Sequence, residues 1–141
     1  MNGAKKPRVR KRSRVSRAVL DASALLALVQ GETGAEKVGP MIPHAAMSAV
    51  NYCETVQRLR RGGMPLEVIT QVLTPLVADP VAFDRETAYV AAAIYEKTRG
   101  LGISFGDCAC LALAMMRSVP AVTADRRWND VDVGVKVIQI R

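Results

Sequence analysis

The stretch Ser104 to Met116, SFGDCACLALAMM, constrains this chain more than any other. From Cys108 to Met116 it carries no charged or strongly polar side chain. A helix that is apolar all round has no face to give to water, so it belongs inside a protein or a membrane. At about 1.5 Å per residue these nine positions span only about 14 Å, too short for a bilayer core of about 30 Å. The stretch therefore predicts a central core helix whose first turn carries the carboxylate of Asp107. An acid at the mouth of a core needs a reason.

The whole chain has 141 residues, one domain's worth, and half of them are hydrophobic, enough to fill a core. No apolar run is long enough for a membrane span, and the N-terminus has no uninterrupted apolar region of the secretory kind. A soluble, cytoplasmic protein with no membrane partner is expected. The formal net charge of +7 is unevenly spread. Residues 1–17 carry Lys5, Lys6, Arg8, Arg10, Lys11, Arg12, Arg14 and Arg17 and no acid, whereas the rest holds 12 basic against 13 acidic side chains. The expectation is a disordered basic tail at 1–17 and one folded domain at 18–141. The tail is either a solubilising or misassigned leader or an electrostatic arm for nucleic acid. The body, near neutral, must hold any polyanion through local features.

Three cysteines, Cys53, Cys108 and Cys110, are an odd number and lack the spacing or histidine partners of a zinc site. They are expected to be small buried hydrophobes. His44 is the only histidine, which excludes a multi-histidine metal centre.

Along the chain, Ala18-Val19-Leu20 reads as a buried strand ended by Asp21, with Ser23 capping a helix from Ala24 to Val29 before Gly31. A short helical piece at 33–38 and a proline-bracketed turn or extended segment follow. From Ser48 to Arg61, Val50, Cys53, Val56 and Leu59 recur at helical spacing, and Gly62-Gly63 ends the helix. A partner helix from Pro65 runs to about Val77. Asp84 caps a further helix to Arg99 with Ala88, Ala91, Ala92 and Tyr95 on one face. The core helix starts at Ser104. Ala121-Val122-Thr123 and 135–140 read as the last strands. Strands alternating with helices imply an α/β sandwich around a mainly parallel sheet.

Two acids then share a setting, because Asp21 follows one buried strand and Asp125 follows another by one residue. Sites in open parallel sheets form beyond the carboxyl ends of strands. Asp107 heads the core helix and Glu54 lies in the first turns of another, so all four acids are placed to converge. Singly, each has an ordinary explanation: Ser104-x-x-Asp107 fits a capping box, and Asp21 and Asp125 fit turns. Together they do not. Carboxylates at close range raise one another's pKa, and these segments hold no matching set of histidines or lysines to neutralise them. Hard divalent cations such as Mg²⁺ relieve the repulsion through oxygen ligands while accepting substrate phosphates. Ser23 and Thr123 are spaced to hydrogen-bond the acids or a metal-bound water.

These blocks, LDASALLAL at 20–28, SAVNYCE at 48–54, ISFGDCACLALA at 103–114 and AVTADRRW at 121–128, together resemble a PIN domain, and more narrowly the VapC-type toxins of bacterial toxin–antitoxin pairs. The resemblance spans 18–141. It implies a PIN-like three-layer α/β/α sandwich, Mg²⁺- or Mn²⁺-dependent endoribonuclease activity on an RNA such as tRNA, a homodimer and a small cognate antitoxin. The family's acids fall on Asp21, Glu54, Asp107 and Asp125, with hydroxyl companions at Ser23 and Thr123; none is replaced. The basic tail is outside the family pattern.

Two other classes compete. A non-catalytic nucleic-acid-binding module would use the tail and leave the acids structural. A receiver-type phosphoacceptor domain needs a lysine after a late strand, which this chain lacks. For the antitoxin, two surfaces are candidates: a groove on the helix pair around 48–77, and the acidic pocket itself, plugged by a partner's arginine.

Overall fold

The computed structural model describes Gly3 and residues 15–141. Of the tail's cations, Lys5, Lys6, Arg8, Arg10, Lys11, Arg12 and Arg14 lie outside the described residues, and only Arg17 lies within them. The elements in order are β1 (Ala18–Leu20), α1 (Ala22–Gln30), α2 (Ala35–Val38), β2 (Ala45–Ala46), α3 (Ala49–Arg61), α4 (Leu66–Leu73), α5 (Arg85–Lys97), α6 (Phe105–Arg117), β3 (Ala121–Thr123) and β4 (Val137–Gln139), with 3₁₀ turns at Gly39–His44 and Arg126–Asp130.

The strands form one sheet in the order β2-β1-β3-β4, parallel at every pairing. Side chains alternate across a strand, and this divides the interior in two. Val19 and Ala121 join the core under α5 and α6, while Ala18, Leu20 and Val122 join the core under α1, α3 and α4. The result is the expected three-layer α/β/α sandwich. In α6 every residue from Cys108 to Ala114 is buried, as its unbroken apolarity demands. No helix among the described residues is long and apolar enough to cross a membrane.

Several local expectations are corrected. Helix α1 is capped by Asp21 rather than Ser23, since the Asp21 carboxylate accepts from the Ala24 N–H. Helix α4 stops at Leu73 because Pro75 has no N–H to continue the ladder; the N–H groups of Leu76 and Val77 both turn back to the Leu73 carbonyl. β4 is confined to 137–139. Strand β2, two residues long, and the bridge between Ser48 and Val81 fall where the sequence offered only unspecified extended segments.

Two helix faces are also corrected. The buried residues of α3 are Asn51, Thr55 and Leu59, whereas Cys53 is exposed, contrary to the reading of all three cysteines as core. Helix α3 packs on α6 and α1, and two of the polar groups it buries find acceptors: the Thr55 hydroxyl donates to the Asn51 carbonyl, and the Asn51 side-chain NH₂ donates to the Gly106 carbonyl of α6. Helix α5 buries Thr87, Ala91 and Ile94 and leaves Ala88, Ala92 and Tyr95 in solvent. In an alanine-rich helix the apolar stripe is ambiguous, and packing against α6 selects the face carrying the larger Ile94.

Candidate active site

The register Leu20↔Val122 aligns the carboxyl ends of β1 and β3, and the Asp21 N–H continues the pairing by donating to the Val122 carbonyl at 3.1 Å. Asp21 is thereby set at the floor of a cleft of about 480 Å³. Its side chain is engaged three times: one oxygen accepts from the Ser23 hydroxyl at 2.7 Å and the Ala24 N–H at 2.9 Å, the other from the Thr123 hydroxyl at 2.5 Å. The two hydroxyls also tie the strand ends together. Ser23 Oγ accepts from the Ala124 N–H at 2.9 Å, and Thr123 Oγ1 accepts from the Asp125 N–H at 3.0 Å.

Asp21 is only 4% exposed, and none of its three donors is a cation. Burial therefore lifts its pKa from 3.8 to about 6, with the Asp107 charge adding to the rise and the donated hydrogen bonds opposing it. Asp107 comes from the first turn of α6. One of its oxygens accepts from the Ser104 N–H at 2.8 Å while Ser104 Oγ accepts from the Asp107 N–H at 3.2 Å, so the capping box fixes the side chain's direction. Glu54, on α3, accepts from the Asn51 amide at 2.9 Å.

Asp125 is held differently. It caps the 3₁₀ turn after β3 and receives the Arg127 guanidinium through Nε at 3.1 Å and Nη2 at 2.6 Å. These hydrogen bonds hold its carboxyl below the usual range, against the opposing effect of partial burial; the Arg58 charge acts in the same direction. The sequence shows no histidines or lysines to neutralise the acids, and for Asp125 it is an arginine, Arg127, that does so. All four predicted acids, and Ser23, line the one cleft, joined by Asn51, Arg58, Ser104, Arg127 and Arg141. Thr123 acts from beneath, through Asp21 and Asp125. The acids are not drawn into a tight chelate: among the described residues no three His, Cys, Asp or Glu side chains stand as an ion-holding group. Arg127 holds Asp125, and Asn51 holds Glu54.

A family profile, the PIN domain, matches residues 18–134. The chain belongs to the PIN-domain family. This PIN domain is 29% identical over 125 residues to a VapC ribonuclease of Mycobacterium bovis and to ribonuclease VapC42 of Mycobacterium tuberculosis, which in each case covers 82% of the chain and 95% of the relative. Its fold is that of the DNA-bound VapBC of Salmonella typhimurium (TM-score 0.72, 15% identity, 89% and 99% of the two chains covered) and of a toxin–antitoxin complex from Klebsiella pneumoniae (TM-score 0.69, 17% identity, 88% and 98% covered).

Sequence reasoning missed Asn51, Gly106 and the cleft arginines of the PIN domain. Signals existed for two of them. Asn51 lies one helical turn before Glu54, and a glycine inside the first turn of a helix costs about 1 kcal/mol relative to alanine, so Gly106 needed a reason. Arg58 and Arg141 come from remote elements and carry no such mark.

Proposed function

We propose that this chain is a Mg²⁺- or Mn²⁺-dependent endoribonuclease, the toxin of a toxin–antitoxin pair. The observation that carries the reading is Asp21: a nearly fully buried carboxylate with no cationic partner, in a cleft lined by three further acids from separate elements. The names of the relatives, ribonucleases and toxin–antitoxin complexes, support it. A purely binding module would leave the cost of burying Asp21 unexplained.

The donor set fits a hard dication, because every candidate ligand is a carboxylate oxygen. Asp21 and Asp107 would be the main ligands, with Glu54 and Asp125 completing the site directly or through water. Such an ion supplies Lewis-acid polarisation of a phosphodiester and a nucleophilic water at neutral pH. The chain's own residues do the rest. Ser23 and Thr123 hold the Asp21 carboxylate in one orientation, and Ser104 does so for Asp107. Arg58 and Arg127, exposed at the cleft, are placed to take the charge of the RNA backbone. Cleavage of RNA should require Mn²⁺ or Mg²⁺ and stop with EDTA, returning when the ion is restored in excess. Salt-sensitive binding without turnover under any ion would sink the enzyme reading.

The substrate class is structured RNA such as tRNA. A small antitoxin is the proposed partner, seated on the α3–α4 side or reaching an arginine into the acidic cleft. The exposed rings of Tyr89, Tyr95 and Phe105 support a homodimer through the α5–α6 side. The tail, with Arg17 at its end, is proposed as a backbone-binding arm. Removing residues 1–17 should flatten the dependence of log affinity on log salt, by about 0.7 for each phosphate of a single strand that the arm had neutralised. An unchanged slope would remove the arm from the proposal and leave Arg58 and Arg127.

A further inference from the structure

Glu54 is the one acid of the cleft whose placement depends on two helices at once. Its carboxylate lies over the first turn of α6, at Gly106. A Cβ built on Gly106 would clash with Glu54 Oε1 and stand 2.6 Å from Cδ and 2.8 Å from Oε2. The whole carboxylate thus occupies the place that any other side chain would fill. The contact is with a buried, helical glycine, so it reflects the need for room rather than for an unusual backbone angle.

Asn51 completes the arrangement from below. It is 1% exposed, on the buried face of α3. Its amide group donates to Glu54 Oε1 and to the Gly106 carbonyl, both at 2.9 Å. Both partners are acceptors, so only the NH₂ can face them, and the orientation of the amide is determined. Its Oδ1 is buried and finds no partner among the described residues. An apolar residue would fill the position without orphaning an atom, so the amide is there for what its two N–H groups hold. One side chain thereby fastens Glu54 to the residue that precedes Asp107.

We propose that Asn51 and Gly106 are positioning residues, which together fix the Glu54 carboxylate at the acidic cleft and set it against Asp107 across the α3–α6 contact. The value of this for catalysis rests on the ribonuclease reading above, whereas the clamp itself can be tested without it.

The experiment compares Gly106→Ala, Asn51→Ala, Asn51→Asp and Glu54→Ala with the doubles Glu54→Ala/Gly106→Ala and Asn51→Ala/Glu54→Ala, by thermal midpoint of the metal-free protein and by cleavage kinetics. Gly106→Ala should lower the midpoint, because the methyl and the carboxylate claim one space. In the Glu54→Ala background the same methyl should cost nothing, because the space is empty. If Gly106→Ala alone does not accumulate as folded protein, recovery of folded protein in the double is the same result. Asn51→Ala should lower kcat by about tenfold or more with KM little changed, as expected of a residue that orients a ligand. In the Glu54→Ala background it should cost less than about twofold, since two residues that act through one interaction lose less together than the sum of their separate losses. Asn51→Asp keeps the volume but sets a carboxylate against two acceptors, so its loss should match or exceed that of Asn51→Ala. Additive penalties, with Gly106→Ala or Asn51→Ala equally harmful whether or not Glu54 is present, would overturn the proposal. Full activity in Glu54→Ala would instead count against the ribonuclease role of Glu54, while the midpoints would still report the clamp.

Discussion

Asp21→Asn is expected to abolish cleavage and, at the same time, to make the metal-free protein more heat-resistant at pH 7. The loss should be at least about 100-fold, because metal-assisted catalysis draws several kcal/mol of transition-state stabilisation from its ligands and each 1.4 kcal/mol is tenfold. The gain follows from the carboxyl's pKa, about 6 when folded against 3.8 when free. Between those values the folded chain holds a proton that the unfolded chain has released, so this group's contribution to stability is greatest at low pH and is lost as pH rises through about 6. Above that pH the ionised Asp21 costs about 3 kcal/mol, at about 1.4 kcal/mol per pKa unit. Asparagine carries no such penalty and can still accept from Ser23 and Ala24. The variant's melting temperature should therefore exceed the parent's by several degrees at pH 7, and the difference should vanish toward pH 4. Adding Mn²⁺ should reverse the order, stabilising the parent alone. A gain of equal size at both pH values would mean that the carboxylate's charge is not its cause.

Trp128→Ala should produce the largest loss of stability, and its effect should reach the site. The ring is fully buried in the core beneath α5 and α6, yet it belongs to the 3₁₀ turn that follows Asp125. Removing a buried aromatic side chain costs about 3–5 kcal/mol in lost transfer energy and unfilled cavity. Against a total of roughly 5–15 kcal/mol for a domain, that is a large share. The same ring pins the segment that carries Asp125 and Arg127, so activity should fall even where the fold survives. Trp128→Phe keeps an aromatic ring in place and removes an Nε1–H that is unpaired among the described residues, so it should be milder in both respects. Thermal unfolding of the two variants decides the matter. A melting temperature for Trp128→Ala within a degree or two of the parent would contradict the anchoring role.

Much of the site is legible in the amino-acid sequence. Asp21 and Asp125 follow short apolar strands, Asp107 opens the apolar helix, and Glu54 sits early in another helix. Each signal is local, because strand ends, caps and unbroken apolarity are written in neighbouring residues. The capping box at Ser104 and the burial of Cys108 to Ala114 are likewise contained in one short stretch. The three-layer class follows from the alternation of elements.

What the tertiary structure alone decided is the set of partners. Hydrophobic periodicity placed Cys53 in the core and overlooked Asn51, since it scores side chains by polarity and cannot register a carbonyl arriving from Gly106 on another helix. It could not say that Arg127 would fold back on Asp125, or that Gly106 is small because Glu54 needs its place. The sequence by itself determined which residues carry charge and where strands and helices begin, because those depend on short-range propensity and pattern. The structure decided which of those charges are buried, paired or left without a cation, because desolvation and hydrogen bonding depend on neighbours far away in the chain.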